Sequence, residues 1–178
     1  TSGLMVAAKN DLAHQGLAEQ FAEHSLERAY HAVVWGVPSP SRGEVTGNIG
    51  RHPVKRKKMA VVSRGGKWAR TRYRLIEAFG GAASLTECRL DTGRTHQIRV
   101  HMASRGHPVV GDPLYGGGGA RSRLKGPAAV AVSTYLSARN NLALHAYLIG
   151  FDHPRTGEHI EFETEISRYI KDLIKLFN

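Results

Sequence analysis

Between Leu90 and His101 the chain reads Leu-Asp-Thr-Gly-Arg-Thr-His-Gln-Ile-Arg-Val-His, and there its chemically capable side chains are densest. Few ordinary structural segments need so many polar groups at once. Arg99 is the most demanding of them: at helical spacings of three and four it shares a face with His96 and with Met102 or Ala103, while Ile98 and Val100 point elsewhere. A guanidinium rooted among apolar neighbours needs an anionic partner, because an unpaired charge out of water is costly. A helix with fully solvated cations is the competing reading of the same residues. Other chemistries fit less well. His96 and His101 are five positions apart, which does not put them on one helical face as a zinc-binding pair four apart would be, and no nearby carboxylate completes a ligand set. Cys88 falls within a strand pattern, and neither a Gly-x-Ser-x-Gly elbow nor a Gly-Lys-Ser/Thr phosphate loop occurs. No metal site is expected, and nucleophilic hydrolysis and phosphate-loop chemistry are set aside.

The elements that must hold these residues follow from periodicity. Leu85, Glu87 and Arg89 alternate with Ser84, Thr86, Cys88 and Leu90, a strand that runs into the turn at Gly93. Thr95 or Thr92 is placed to cap the helix that follows, and Gly106 to close it in a left-handed conformation. Upstream, Asn10 or Asp11 caps a helix to about His24, with Ala13, Leu17 and Phe21 on one face. Residues 28–35 alternate as a strand, with Tyr30, Ala32 and Val34 on one face and His31, Val33 and Trp35 on the other. A loop through 36–43 and a short strand near 44–49 lead to Gly65-Gly66, read as a hairpin turn between strands at 59–63 and 67–78. Residues 116–141, rich in Gly and small side chains, read as a loop with some helix near its end. Strands at 142–151 and 158–163, the second turning Ile160 and Phe162 to the core, and a packing helix at 167–177 complete the chain. About seven strands and three helices in this order predict an α+β fold, a mixed, largely antiparallel sheet with peripheral helices.

The 178 residues suit one ordinary domain with a substantial core. A single cysteine excludes an internal disulfide and suits a reducing compartment, so the cytoplasm is expected. No run of apolar residues long enough to span a bilayer occurs, and no membrane partner is expected. The formal charge of +10 is concentrated: Arg51, Lys55, Arg56, Lys57, Lys58, Arg64, Lys67, Arg70, Arg72 and Arg74 fall between 51 and 76 with no acidic residue among them. The rest of the chain is balanced, so the whole excess sits in one segment, and a polyanion is the natural partner. Within it Arg70, Arg72 and Arg74 project from one face of a strand as a cationic rail able to meet successive phosphates.

Leu90 to His101, followed by Gly106-His107-Pro108-Val109-Val110-Gly111-Asp112-Pro113-Leu114-Tyr115-Gly116, resembles the signature of the RluA-type RNA pseudouridine synthases. Thr1-Ser2-Gly3-Leu4, Tyr30-His31-Ala32-Val33-Val34-Trp35-Gly36 and Leu144-His145-Ala146 agree, in the family's order, and the run from Ile49 to Val61 resembles the RluD branch, which modifies large-subunit ribosomal RNA. The resemblance implies isomerisation of uridine to pseudouridine in RNA, a reaction whose product is an isomer, so no cofactor, redox agent or group donor is expected. It implies an aspartate, in a His-Arg-Leu-Asp run, three residues ahead of Thr1, so that residues 1–178 form a partial catalytic domain beginning just after it. Asp91, at a variable motif position, and Asp112, in a Gly-Asp-Pro turn, are not substitutes for it. It further implies that Arg99 pairs with that carboxylate, that Tyr30 stacks on the base and assists proton transfer at C5, that Leu144 forms an apolar wall, and that Arg94, His96 and Gln97 orient the loop or touch RNA. The expected partner is RNA of the 23S ribosomal type, not DNA, bound by a monomer. The competing class is an RNA-binding module without turnover.

Overall fold

The computed structural model describes residues 1–116, 124–139 and 141–178. Among them the alternating stretches become β1 (Ser2–Gly3), β2 (Glu27–Trp35), β3 (Arg42–Arg51), β4 (Met59–Val62), β5 (Lys67–Phe79), β6 (Ala83–Leu90), β7 (Leu144–Asp152) and β8 (His159–Glu163). The helices are α1 (Asp11–Glu23), α2 (Gln97–Ser104), α3 (Gly126–Ser137) and α4 (Arg168–Lys175). One sheet runs in the order β1-β7-β2-β6-β5-β3-β4, with β8 also paired to β7. Only β1 and β7 pair in parallel, so the sheet is mixed and largely antiparallel, an α+β fold.

Register decides which side chains share a face. Tyr73 pairs with Cys88, Cys88 with Tyr30 and Tyr30 with Ala146, so this row projects to one side. Thr71, two residues before Tyr73, lies on the same side and hydrogen-bonds both Gln97 and His101, so α2 covers that face. Arg70, Arg72 and Arg74 alternate to the opposite face, where Arg74 pairs with Glu87 and Glu87 with His31. Burial of Ile170 and Leu173 fastens α4, and Phe177 beyond it packs edge-on to Trp35 at 5.9 Å and against Phe79 at 6.0 Å.

Several elements differ from expectation. Met59–Val62 does not form a hairpin with β5: β3 lies between them, paired with both. The connection instead crosses β3, and a Cβ on Gly66, at φ +73°, would meet the backbone at Ile49 and Gly50. The helix expected near the end of 116–141 is longer than that reading, running over 126–137, because Pro127 sits in its first turn where its missing N–H costs nothing, and the alanines that follow favour it. The glycines at 117–119 lie outside the described residues. Phe162 is half exposed on β8, which among the described residues pairs with β7 alone, and its ring lies 6.3 Å from that of Phe151. On α1, Asn10 caps as expected, its side chain accepting from the Ala13 N–H at 2.9 Å, but of Ala13, Leu17 and Phe21 only Leu17 is buried.

Candidate active site

The turn between β6 and α2 is closed by Gln97 rather than by a threonine cap. Gln97 is buried, and its Oε1 accepts from Thr92 Oγ1 at 2.7 Å and from the Arg94 N–H at 2.9 Å. Its Nε2 donates to the Arg70 carbonyl at 2.9 Å and to Thr71 Oγ1 at 3.0 Å. Thr92 Oγ1 accepts in turn from the Arg70 N–H, so the two side chains stitch the turn to β5. His96 occupies the position before α2 at φ 58° with no side-chain cap, which corrects the expected role of Thr95 or Thr92. Gly106 closes the helix at φ 78°, as expected. A left-handed, non-glycine residue at His96 carries strain, and the Gln97 clamp is what holds it there.

Arg99 emerges from α2 into a paired arrangement. Its Nε donates to Asp112 Oδ2 at 2.7 Å and its Nη2 to Asp112 Oδ1 at 2.9 Å, a two-pronged fork. The Asp112 side chain has no exposed surface, and its Oδ1 also accepts from the Leu114 and Tyr115 N–H groups at 2.9 and 3.0 Å. Burial alone would raise this carboxyl, but Arg99 and the two amides outweigh it and hold Asp112 below the usual range. The Gly-Asp-Pro turn thus does more than turn the chain, because its aspartate fixes Arg99. The guanidinium carbon lies 4.9 Å from the centre of the Tyr115 ring. The Tyr115 hydroxyl accepts from the Met59 N–H at 2.9 Å and lies 3.0 Å from His96 Nδ1. Burial, and then the Arg99 charge, lower the His96 pKa, so that nitrogen is free to accept the Tyr115 proton. The sequence reads Asp112 only as a turn residue and Tyr115 only as part of the motif, with no role toward Arg99; the available signal was the Asp-Pro turn, whose carboxylate can reach the amides two and three residues on.

Arg99, Thr1, Ser2, Leu142 and Tyr169 line a cleft of about 390 Å³. Asp112 engages Nε and Nη2 only, which leaves Nη1 for another acceptor. Tyr30 stands on the face that α2 covers, two strands in from Gly3 by way of Ala146. It is partly buried against the main core and does not line the Arg99 cleft, and among the described residues no hydrogen bond joins the two. Burial raises its pKa, offset in part by Arg28, so the phenol is protonated near neutrality. Leu144 is buried on the same face, paired through Ala32 to the Tyr30 strand. Arg94 points its Nε to the Trp68 carbonyl at 2.9 Å.

The cations divide into two groups. Arg51, Lys55, Arg56 and Lys57 are exposed, Lys58 is partly so, and none forms an ion pair among the described residues. Lys58 Nζ lies 5.8 Å from the Tyr115 ring centre, so this loop abuts the turn that holds Arg99. The rail is instead a ladder: Arg70 pairs with Asp91, Arg72 with Asp91 at 2.9 Å, and Arg74 with Glu87 at 3.1 Å. The acids come from β6 and the turn after it, which a count along 51–76 does not register.

Residues 1–104 match a family model described as RNA pseudouridylate synthase. The chain is 49% identical over 177 residues to the ribosomal large subunit pseudouridine synthase D of Zymomonas mobilis, covering 99% of this chain and 53% of that protein. It is 45% identical over 166 residues to the enzyme of the same name from Pseudomonas aeruginosa, covering 93% and 50%. Among solved structures, Human RNA Pseudouridylate Synthase Domain Containing 1 aligns with a TM-score of 0.70 and 28% identity, over 89% of this chain and 62% of that one. The fold is that of a pseudouridine synthase domain. The chain belongs to the RNA pseudouridylate synthase family, and it spans about half the length of the curated relatives it matches. No described helix is long and apolar enough to cross a membrane.

Proposed function

We propose that this chain forms the Arg99 and Tyr30 side of an active site that isomerises uridine to pseudouridine in large-subunit ribosomal RNA, acting as a monomer in the cytoplasm. The observation that carries the reading is the Arg99 fork, pinned by a fully buried Asp112 beside the cleft that Thr1 lines. The reaction detaches uracil from C1′ through N1, turns the ring and rejoins it through C5, so the product is an isomer and no redox agent or donor is consumed. The resemblance supplies an initiating aspartate three residues ahead of Thr1. Arg99 Nη1 pairs with that carboxylate and orients it, and the fork to Asp112 limits the rotation that would misplace it. Tyr30 receives the extruded base, and its protonated phenol is suited to proton transfer at C5. Leu144 forms an apolar wall, and the Gln97 clamp with Arg94 and His96 sets the turn. Arg51, Lys55, Arg56, Lys57 and Lys58 contact phosphates near the site, and Arg70, Arg72 and Arg74 contact flanking RNA, giving affinity that falls steeply with salt.

The test is tritium release from C5-labelled uridine in ribosomal RNA by the full-length protein. Release is expected. Tight RNA binding without release would contradict the proposal and favour a binding module.

A further inference from the structure

Two residues before Tyr30 on β2 stands a guanidinium that no part of the mechanism above employs. Arg28 is partly buried, and its Nε and Nη2 are shielded from solvent without a hydrogen-bond partner among the described residues. It forms no ion pair there either, whereas Arg70 and Arg72 hold Asp91, and Arg89 holds Glu87 at 3.2 Å. The side chain is held in place from two directions. Its guanidinium carbon lies 5.5 Å from the Phe21 ring centre, and a Cβ at Gly93, in the central motif's turn, would collide with its Nη1. Burial lowers its pKa, yet a guanidinium remains charged at neutral pH.

Arg28 lines a cleft of about 450 Å³ together with Arg70, Arg72 and Arg89. The carboxylates of that lining are Glu27 and Asp91, and Asp91 is already shared by two arginines. A fixed, desolvated fork within a cationic cleft is an anion site that lacks its anion. We propose that this cleft is a phosphate-binding subsite for the RNA backbone, with Arg28 as its principal donor, holding a phosphate adjacent to the nucleotide at Tyr30. This rests on the pseudouridine synthase reading for its choice of RNA. Arg28 stands two residues from Tyr30 on β2, their Cα atoms about 7 Å apart, near enough for its charge to act on the Tyr30 phenol, while the cleft it lines is completed by Arg70, Arg72 and Arg89 of the opposite face. A phosphate there anchors the strand from which the base is extruded, and the absence of a Gly93 side chain leaves the fork its room.

The experiment uses full-length protein and a fluorescein-labelled, uridine-containing RNA hairpin, with Kd measured by anisotropy over a series of KCl concentrations. Arg28→Gln is expected to weaken binding roughly tenfold and to reduce the slope of log Kd against log salt by about 0.7, the loss of one single-strand phosphate contact. An unchanged Kd and slope would overturn the inference, as would a variant that merely melts earlier with both intact, since the missing anion would then be a carboxylate of the longer protein. Should Arg28→Gln unfold, Arg28→Lys decides: it keeps the slope but loses the fork, so a Kd several-fold above wild type supports the subsite and a wild-type Kd overturns it. Tritium release by the wild-type protein is scored separately, so failure of the catalytic reading and failure of the subsite are distinct results.

Discussion

The two faces of the sheet carry arginines of opposite kinds. On the face under α2, Arg99 is held by a carboxylate with no exposed surface and lies over the Tyr115 ring, with 16% of its own side chain exposed. On the other, Arg70, Arg72 and Arg74 expose 36%, 61% and 63% of their side chains and share Asp91, Glu44 and Glu87. In water, such exposed pairs are worth little and exchange partners readily, which suits groups that meet a polyanion. A desolvated fork keeps one geometry, which suits a group that must aim a single reacting carboxylate. The number of cations in a segment therefore says where RNA can be attracted, while burial says which cation can organise chemistry.

Breaking the buried member should cost most. Arg99→Met strands the Asp112 carboxylate and is expected to destabilise the fold by about 3–5 kcal/mol in denaturant titration. Gln97→Ala removes four hydrogen bonds at the buried turn, and an expected loss of roughly 2–3 kcal/mol would show that the strained His96 and the helix carrying Arg99 depend on that clamp. His101, on the same face, is pulled down to about 4 by burial. Its folded pKa lies below the unfolded value of about 6.5, so its contribution is complete above that pH and is lost as pH falls toward 4. Stability is then expected to drop by up to about 1.4 kcal/mol per pH unit across that window, and His101→Gln should flatten the dependence. The exposed face should respond least: Arg74→Ala is expected to cost no more than about 1 kcal/mol, and less at high salt. A larger loss there would erase the contrast between the faces.

Much of this arrangement was legible in the residues. Alternation gave the strands, and Arg99's position among apolar neighbours required an anionic partner. What stayed hidden depends on strand order. Nothing local says that β3 intervenes between β4 and β5, so the Gly65-Gly66 turn reads as a hairpin. Nor does spacing say that Asp91 and Glu87, outside the basic segment, lie against Arg72 and Arg74. The Asp112 partner is 13 residues from Arg99, across a helix end and a turn, and its carboxylate serves turn and guanidinium together. Tyr30's place near the Thr1 cleft follows only once β7 pairs with both β1 and β2.

The claim that Arg99 aims the initiating carboxylate is tested most directly by single-turnover tritium release with full-length Arg99→Lys at saturating RNA. The account predicts a rate reduced on the order of a hundredfold, because the ammonium keeps the charge but loses the fork, with Kd for RNA within about threefold of wild type. Arg74→Ala should do the reverse, raising Kd and leaving the saturated rate intact. A wild-type rate in a folded, RNA-saturated Arg99→Lys protein would contradict the account.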